Sequence, residues 1–309
     1  MVTGFLGSGK TTLLNRLLAS PLLSDSFVVV NEFGEVPVDH LLLESSEERT
    51  VALPNGCLCC RLRGDLEQTL VGAAMRRRRG EIAGFDRVIV ETSGLADPGP
   101  VAQTLFADQG LARDFKLGPI VTVVDASDAE NRKFAAGIAR SQIAAADLVV
   151  LSKTDRTHDL SKVKNEVQAI NAHAQCVPAQ FGDLDCSLLT SDRNFSANSR
   201  ADHVFFPVAT HDPSIKSFML RFEKPVAREL MERFLAVLVD LRGADLLRVK
   251  GIVALEGGEY VAVQGVRHVF DRLRSVAKSE TGLVFITNGV ERREVDALWQ
   301  AMSNLKGVS

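Results

Sequence analysis

The chain has 309 residues, of which 46% are hydrophobic and 24% charged, and its formal net charge is −3. These globular values exclude disordered, collagen-like and coiled-coil proteins, and the small negative charge gives no reason to expect nucleic acid or an anionic membrane as a partner. No apolar run approaches 18 residues and the N-terminus has no signal-peptide pattern, so we expect a cytoplasmic protein of about two domains without a transmembrane helix.

Short runs of β-branched residues recur through the first half of the chain. None of them alternates polar with apolar residues, so each predicts a strand that is buried on both faces of a parallel sheet. The strands are predicted at 27–30, 87–90, 120–124 and 148–151, and helices between them at 11–19, 64–79, 133–146 and 160–171. This alternation predicts a doubly wound, mainly parallel α/β domain over residues 1–182.

The pattern changes after residue 182. Residues 183–202 are polar and aperiodic, which predicts a linker. Gly257-Gly258 between two apolar runs predicts a hairpin. Strands are predicted at 204–208, 217–222, 246–255, 260–266 and 283–287, and helices at 227–240 and at the apolar stripe 295–305. These elements predict a second, smaller α+β domain with an antiparallel sheet over residues 203–309.

A glycine-rich motif opens the chain. Residues 4–11, GFLGSGKT, fit the pattern GxxxxGK[ST] in full and run into a predicted helix. Glycines let several backbone N–H groups face one anion, Lys10 reaches the outer phosphates, and Thr11 offers a hydroxyl to magnesium. An ordinary glycine-rich turn is the alternative, but the complete motif favours a phosphate loop. Only three residues precede it, so either the strand expected before the loop is very short or the N-terminus of this sequence is truncated.

Two acidic segments follow predicted strands near this loop. Glu91-Thr92-Ser93-Gly94 follows the strand at 87–90, where most GTPases carry Asp-x-x-Gly, and it places a carboxylate near magnesium and a glycine N–H near the γ-phosphate. Asp97, before Pro98, is interpreted as a helix N-cap. Residues 31–39, which include Glu35, have the composition of a segment that the γ-phosphate orders. Glu35 and Glu91 are candidates to position the attacking water.

The base-recognition motif follows the strand at 148–151. GTPases carry Asn-Lys-x-Asp at this place, and this chain has Ser152-Lys153-Thr154-Asp155. The aspartate accepts hydrogen bonds that guanine offers and adenine does not, and the lysine stem packs over the base. Since a base is rejected when it leaves buried polar groups unpaired, Lys153 and Asp155 favour guanine over adenine.

The cysteine cluster is the least ordinary feature. Cys57, Cys59 and Cys60 occupy three of four consecutive positions, although the chain has five cysteines in all. Their thiolates could converge on a soft ion such as zinc, with a fourth ligand from elsewhere, and an open position would suit transfer of the ion. A redox pair and plain buried thiols are the alternatives.

In this order the motifs GFLGSGKTT, NEFGEVPVD, NGCLCC, ETSGLADPGPV and SKTD resemble the CobW-like family of P-loop GTPases. The resemblance covers residues 1 to about 182 closely and the second domain more loosely. It implies a metallochaperone that uses GTP and Mg²⁺ to control the delivery of zinc, cobalt or a related metal. The positions that the motifs and the resemblance assign to the nucleotide are Gly4, Gly7, Ser8, Gly9, Lys10, Thr11, Thr12, Gly94, Lys153 and Asp155.

The resemblance assigns the carried metal to Cys57, Cys59 and Cys60. The leading hypothesis is a slow magnesium-dependent GTPase that delivers zinc to an apo-metalloenzyme. The alternatives are a metal-responsive GTP-binding regulator without delivery, and an ATP-using P-loop kinase. The sequence leaves the client, the metal and the oligomeric state open. The basic run 76–79 is interpreted as a solvated helix end rather than a nucleic-acid site.

Overall fold

The computed structural model describes residues 1–30, 50–52, 60–107, 109–127, 136–157, 159–190 and 214–304. The chain divides into two compact units. The first comprises Met1–Gln168 with Ala174–Ser191, and the second comprises Ala169–His173 with Asp192–Ser309. Within the described ranges, none of the helices is long and apolar enough to cross a membrane.

The first unit contains a parallel sheet, which confirms the predicted doubly wound fold. Its strands are β1 (Val2–Gly4), β2 (Ser26–Val30), β3 (Thr50–Ala52), β4 (Arg87–Glu91), β5 (Val121–Asp125), β6 (Leu148–Ser152) and β7 (Gln175–Pro178). In the described residues they form one seven-stranded sheet in the order β3-β2-β4-β1-β5-β6-β7. The short strand β1 lies between β4 and β5, so the loop that follows it starts at the centre of the sheet.

Helices cover both faces of this sheet. They are α1 (Lys10–Leu18), α2 (Cys60–Arg78), α3 (Pro98–Ala107), α4 (Gln109–Asp114), α5 (Ala136–Ala145), α6 (Leu160–Ile170) and α7 (Ser187–Thr190). Alternate residues of β2 point to opposite faces. Val28 therefore joins the apolar cluster that contains Leu14 of α1, whereas Val29 joins the cluster that contains Leu70 of α2.

The structure differs from the sequence prediction in the segment that follows residue 182. Residues 187–190, which we predicted as part of a linker, form helix α7, and Leu188 and Leu189 pack against the same cluster as α1. The apolar side chains in this short polar stretch were too few to show a helical period. The predicted range 204–208 lies outside the described residues.

The basic run at the end of α2 is engaged in surface contacts. Arg77 pairs with Asp86 and lies over the ring of Phe85. Arg78 pairs with Asp114, and Arg79 pairs with a glutamate two residues along the chain. These pairs support the interpretation of the run as a helix end that is solvated and locally neutralised.

The second unit is an α+β unit with an antiparallel sheet, as predicted. Its elements are β8 (Ile215–Leu220), α8 (Arg228–Arg242), β9 (Leu246–Ala254), β10 (Tyr260–Val266), β11 (Val269–Phe270), β12 (Arg274–Ser275), β13 (Gly282–Asn288) and α9 (Arg292–Asn304). The sheet order is β11-β10-β9-β13-β8, and β12 pairs with β10. One face is covered by α8, whose Phe234 is fully buried and contacts Trp299 of α9 edge to face.

Candidate functional site

The phosphate loop connects β1 to α1 at the centre of the first sheet. Gly7 and Gly9 have φ angles of 70° and 93°, in the left-handed region that side chains disfavour. Ser8 is buried, and its N–H donates to the carbonyl of Phe5 (3.2 Å), which closes the turn. The first turn of α1 carries no acidic residue of its own, and its N–H groups and its dipole favour an anion at the loop.

Lys10 places its charge on this loop. Its side chain is largely buried, with 8% exposed, and Nζ donates to the carbonyl of Phe5 at 3.1 Å. The ammonium is therefore held beside the loop by the backbone of the loop itself. Thr12, the third residue of α1, is exposed at the same end of the helix. The phosphate-binding roles expected for Lys10 from the motif and for Thr12 from the family resemblance stay predictions.

Glu91 ends strand β4 and meets the start of α1. Its side chain is 2% exposed, and Thr11 Oγ1 donates a hydrogen bond to Glu91 Oε1 at 3.0 Å. The burial excludes a merely solvated acid at the end of the strand. A carboxylate and a hydroxyl oxygen at one point form the hard donor set that Mg²⁺ prefers. The two residues thus fit a magnesium ion that accompanies a nucleotide.

The segment after Glu91 lies directly against the phosphate loop. A Cβ added at Gly94 would be 2.6 Å from the backbone nitrogen of Leu6 and 2.8 Å from its Cα. Only glycine allows this approach. The fully buried Gln142 of α5 holds the same segment, because its Nε2 donates to the carbonyls of Gly94 (3.3 Å) and Ala96 (3.0 Å). Farther along, Asp97 accepts from the N–H of Gly99 and caps α3, as predicted.

The end of β6 is linked to the same loop. Ser152 Oγ donates to the carbonyl of Ser8 at 2.6 Å, so this short side chain reaches the loop despite replacing the usual asparagine. Lys153 adopts a left-handed backbone conformation, with φ 51°, and Asp155 follows in a short 3₁₀ turn. The Asp155 side chain is about one-third exposed, and Arg156 approaches it at 3.9 Å. Its carboxylate is therefore accessible to a base.

A partly buried ion pair fixes Lys153. Its Nζ lies 2.6 Å from Oδ2 of Asp125, the last residue of the neighbouring strand β5. Ser127 donates to the other carboxylate oxygen of Asp125 through both its N–H and its hydroxyl. Burial by itself raises the pKa of Asp125, but the hydrogen bonds from Lys153 and Ser127 outweigh it and hold that pKa below its usual value. The lysine stem is thus held beside the aspartate of the motif.

Part of the predicted site lies outside the described residues. Glu35, Cys57 and Cys59 belong to the ranges that the structure does not describe. Cys60 is the first residue of α2, whose side chain at that position is likewise not described. In the described part of the chain, no group of three or more Cys, His, Asp or Glu side chains could hold a metal ion. The metal assignment of the three cysteines therefore stays a prediction.

Two family models match this chain. Residues 1–178 match the CobW/HypB/UreG nucleotide-binding domain, and residues 215–303 match the cobalamin synthesis protein CobW C-terminal domain. The chain belongs to the CobW/HypB/UreG family. This membership confirms the family inferred from the motifs.

Individual CobW-family relatives cover nearly the whole chain. The zinc chaperone YjiA of Escherichia coli is 32% identical over 98% of this chain and 97% of its own length. The zinc chaperone CobW of Pseudomonas aeruginosa is 31% identical over 88% of this chain and 81% of its own. A Zn(II)-bound crystal structure of YjiA GTPase has a TM-score of 0.68 and 25% identity, with 97% of both chains covered. A YjiA variant with one glutamate and two cysteines replaced by alanine is also described as Zn(II)-bound, at the same TM-score.

Sequence reasoning missed three residues that shape this CobW-family site. Asp125 and Gln142 were not singled out, and Ser152 was considered only as a shorter residue in place of the usual asparagine. An acid that directly follows a buried parallel strand was the available signal for Asp125, because such ends meet at one edge of the sheet. Gln142 carried no signal, since a glutamine in a helix is common and its partners lie more than 40 residues away.

The approach of Gly94 to Leu6 gives the first prediction. We expect Gly94→Ala to weaken GTP binding about 5- to 100-fold, because the added methyl group forces the phosphate loop to shift at a cost of about 1–3 kcal/mol. Gly84→Ala is the control, since a Cβ there meets nothing within 4 Å. Titration calorimetry with both variants measures the effect, and equal GTP affinities for the two would contradict it.

The ion pair of Asp125 predicts a pH dependence. Because its folded pKa lies below the unfolded value of 3.8, the pair stabilises the fold above that pH and the contribution is lost as acid titrates the folded carboxylate. Asp125→Asn should lower the unfolding free energy at pH 7 by about 1–2 kcal/mol and flatten its decline below pH 4. Asp86→Asn, at a 97% exposed carboxylate, is the control. Urea unfolding at pH 7 and pH 3 tests this; a decline as steep as that of the wild type would refute it.

Proposed function

We propose that this CobW-family protein binds and hydrolyses GTP with Mg²⁺ and couples its nucleotide state to the binding and delivery of zinc. Relatives are named zinc chaperones and zinc-regulated GTPase metalloprotein activators, and one is described as a Zn(II)-bound GTPase. Zinc is the favoured cargo on that ground, with cobalt as the alternative. An apo-metalloenzyme client in the cytoplasm would receive the ion.

In the proposed hydrolysis, water attacks the γ-phosphorus in line, and the bond to the β–γ bridging oxygen breaks to give GDP and phosphate. Lys10 and the N–H groups of the loop stabilise the charge on the phosphate oxygens. Bound at Thr11 and Glu91, Mg²⁺ would neutralise phosphate charge. The hydrogen bond from Thr11 favours a role for Glu91 in binding Mg²⁺. Glu35 is then the remaining candidate to position the attacking water. Without a second group for this task we expect slow intrinsic turnover.

Base recognition favours GTP over ATP as the nucleotide. Asp155 presents an accessible carboxylate at the end of β6, and the pair with Asp125 fixes Lys153 beside it. A carboxylate at this place accepts from the two N–H donors on one edge of guanine, and adenine lacks that pair of donors. This arrangement argues against the ATP-using kinase.

One observation supports the coupling of nucleotide to metal. Helix α2 begins at Cys60, and its Leu66, Leu70 and Ala73 pack in one apolar cluster with Val90 of β4. The next residue of β4 is Glu91, which binds the first turn of α1. A packed core transmits a shift instead of absorbing it. A movement of Glu91 on nucleotide exchange would therefore be passed to the helix that starts at the cysteine cluster.

The coupling is tested by zinc affinity in three nucleotide states. We expect the zinc affinity, measured anaerobically by competition with a chromophoric chelator, to differ between a non-hydrolysable GTP analogue and GDP by about 5- to 150-fold, the usual range of coupling between two sites. The zinc affinity of the nucleotide-free protein should differ from at least one of these two affinities. Equal affinity in all three states would remove the coupling.

Two cysteine variants show where the zinc is held. Replacing Cys57, Cys59 and Cys60 by alanine should abolish the zinc binding that depends on nucleotide. Replacing the half-buried Cys176 and Cys186 should leave that binding unchanged. This control is needed because the YjiA variant that lacks two cysteines is still described as Zn(II)-bound. GTP-dependent transfer of zinc to an apo client would distinguish delivery from a regulator that only senses the metal.

A further inference from the structure

Phe181 is an aromatic residue held in an unfavourable state. It is 75% exposed, more than any other large hydrophobic side chain in the described residues. Its φ of 49° lies in the left-handed region, where a bulky side chain is an outlier. An exposed ring and a strained backbone each cost free energy. Strain of this kind persists where surrounding structure imposes it, and it clusters at ligand sites.

The loop that carries Phe181 is fixed at both ends. Ala179, which follows β7, donates its N–H to the carbonyl of Leu151 at 2.8 Å and so extends the pairing of β6 with β7. Asp183 donates to the carbonyl of Gln180 at 2.9 Å and closes a turn around Phe181. The exposure of the ring therefore results from a defined turn.

The same loop lies on the first helix after the phosphate loop. A Cβ added at Gly182 would be 2.9 Å from the carbonyl oxygen of Thr12 and 3.1 Å from the Cα of Leu13. Gly182 also has a positive φ of 77°, so no other residue fits there without strain. Phe181 precedes this contact by one residue. It is therefore placed beside the first turns of α1, next to the phosphate-binding end.

The neighbouring strand supplies the base-recognition motif. Strands β6 and β7 are parallel neighbours, with Leu151 opposite Pro178, so their following segments leave the same edge of the sheet about 5 Å apart. The segment after β6 carries Lys153 and Asp155, and the segment after β7 carries Phe181. The loop that carries Phe181 thus lies beside both α1, against which Gly182 packs, and the segment that carries the guanine motif.

We propose that Phe181 is the aromatic platform on which the purine base of the bound nucleotide stacks. The inference rests on the proposed function, since it assigns a residue to the same nucleotide site. A ring face stacks on any purine, so Phe181 supplies affinity. The hydrogen-bonding edge of Asp155 supplies the choice between guanine and adenine. Binding of the base covers the exposed ring, which explains why an aromatic side chain is presented to water there.

The experiment compares ligands with and without a base. Calorimetric titration of GDP, non-hydrolysable analogues of GTP and ATP, and inorganic tripolyphosphate is carried out on wild type, Phe181→Ala and Phe181→Trp. Leu241→Ala, at a 64% exposed apolar residue of the second unit, is the matched control. We expect Phe181→Ala to weaken both guanine nucleotides about 5- to 100-fold, in line with the loss of one base–aromatic stack, and to leave tripolyphosphate affinity and the preference for GTP over ATP unchanged.

The conservative variant adds a spectroscopic readout. Phe181→Trp should keep guanine nucleotide affinity within about threefold of wild type, because an indole stacks at least as well. Its added fluorescence, measured against the wild-type signal of Trp299, should be quenched by GDP and unaffected by tripolyphosphate. A residue with a purely structural role would give no quenching that depends on the base.

Three outcomes would overturn the inference. Wild-type GDP affinity in Phe181→Ala would show that the ring does not contact the base and would leave docking of a protein partner as its role. An equal loss of tripolyphosphate and nucleotide affinity would show a structural defect. If wild type binds tripolyphosphate but shows no preference for any nucleotide, the proposed GTP function fails, and the stacking role fails with it.

Discussion

The hydrogen bond from Thr11 to the buried carboxylate of Glu91 joins the two parts of the chain on which the site depends. It is possible because β1 is inserted between β4 and β5, so the loop after β1 and the residue that ends β4 leave the sheet side by side. The close approach of Gly94 to Leu6 adds a second contact between the same two segments. The phosphate loop and the acidic segment therefore form one surface.

That surface has two connections to the rest of the first unit. On one side, Ser152 and the pair of Lys153 with Asp125 attach the base motif to the loop and to the end of β5. On the other, the apolar cluster that contains Val90 connects the strand ending at Glu91 to α2, the helix that starts at Cys60. In the proposed coupling, a change at the phosphate, the base or the carried metal would thus reach the other two through contacts at one edge of the sheet.

The parts of the site that lie within one motif could be predicted from the sequence, because glycines, Lys10 and Thr11 act through local backbone geometry. The fold class also followed from the buried strands and the helices between them. Contacts between segments could not be predicted. The pair of Lys153 with Asp125 requires β5 and β6 to be neighbours, and the position of Phe181 requires β7, whose four residues Gln-Cys-Val-Pro show no strand pattern. Helix α7 was missed because its four residues likewise show no periodic pattern.

The dependence of GTP affinity on Mg²⁺ tests the role of Glu91 most directly. Titrations of a non-hydrolysable GTP analogue with Mg²⁺ and with a chelator compare wild type, Glu91→Gln and the exposed control Glu166→Gln. We predict that Mg²⁺ tightens binding about 5- to 150-fold in wild type and in the control, and that Glu91→Gln loses most of this gain at unchanged metal-free affinity. Retention of the full magnesium effect in Glu91→Gln would contradict the account.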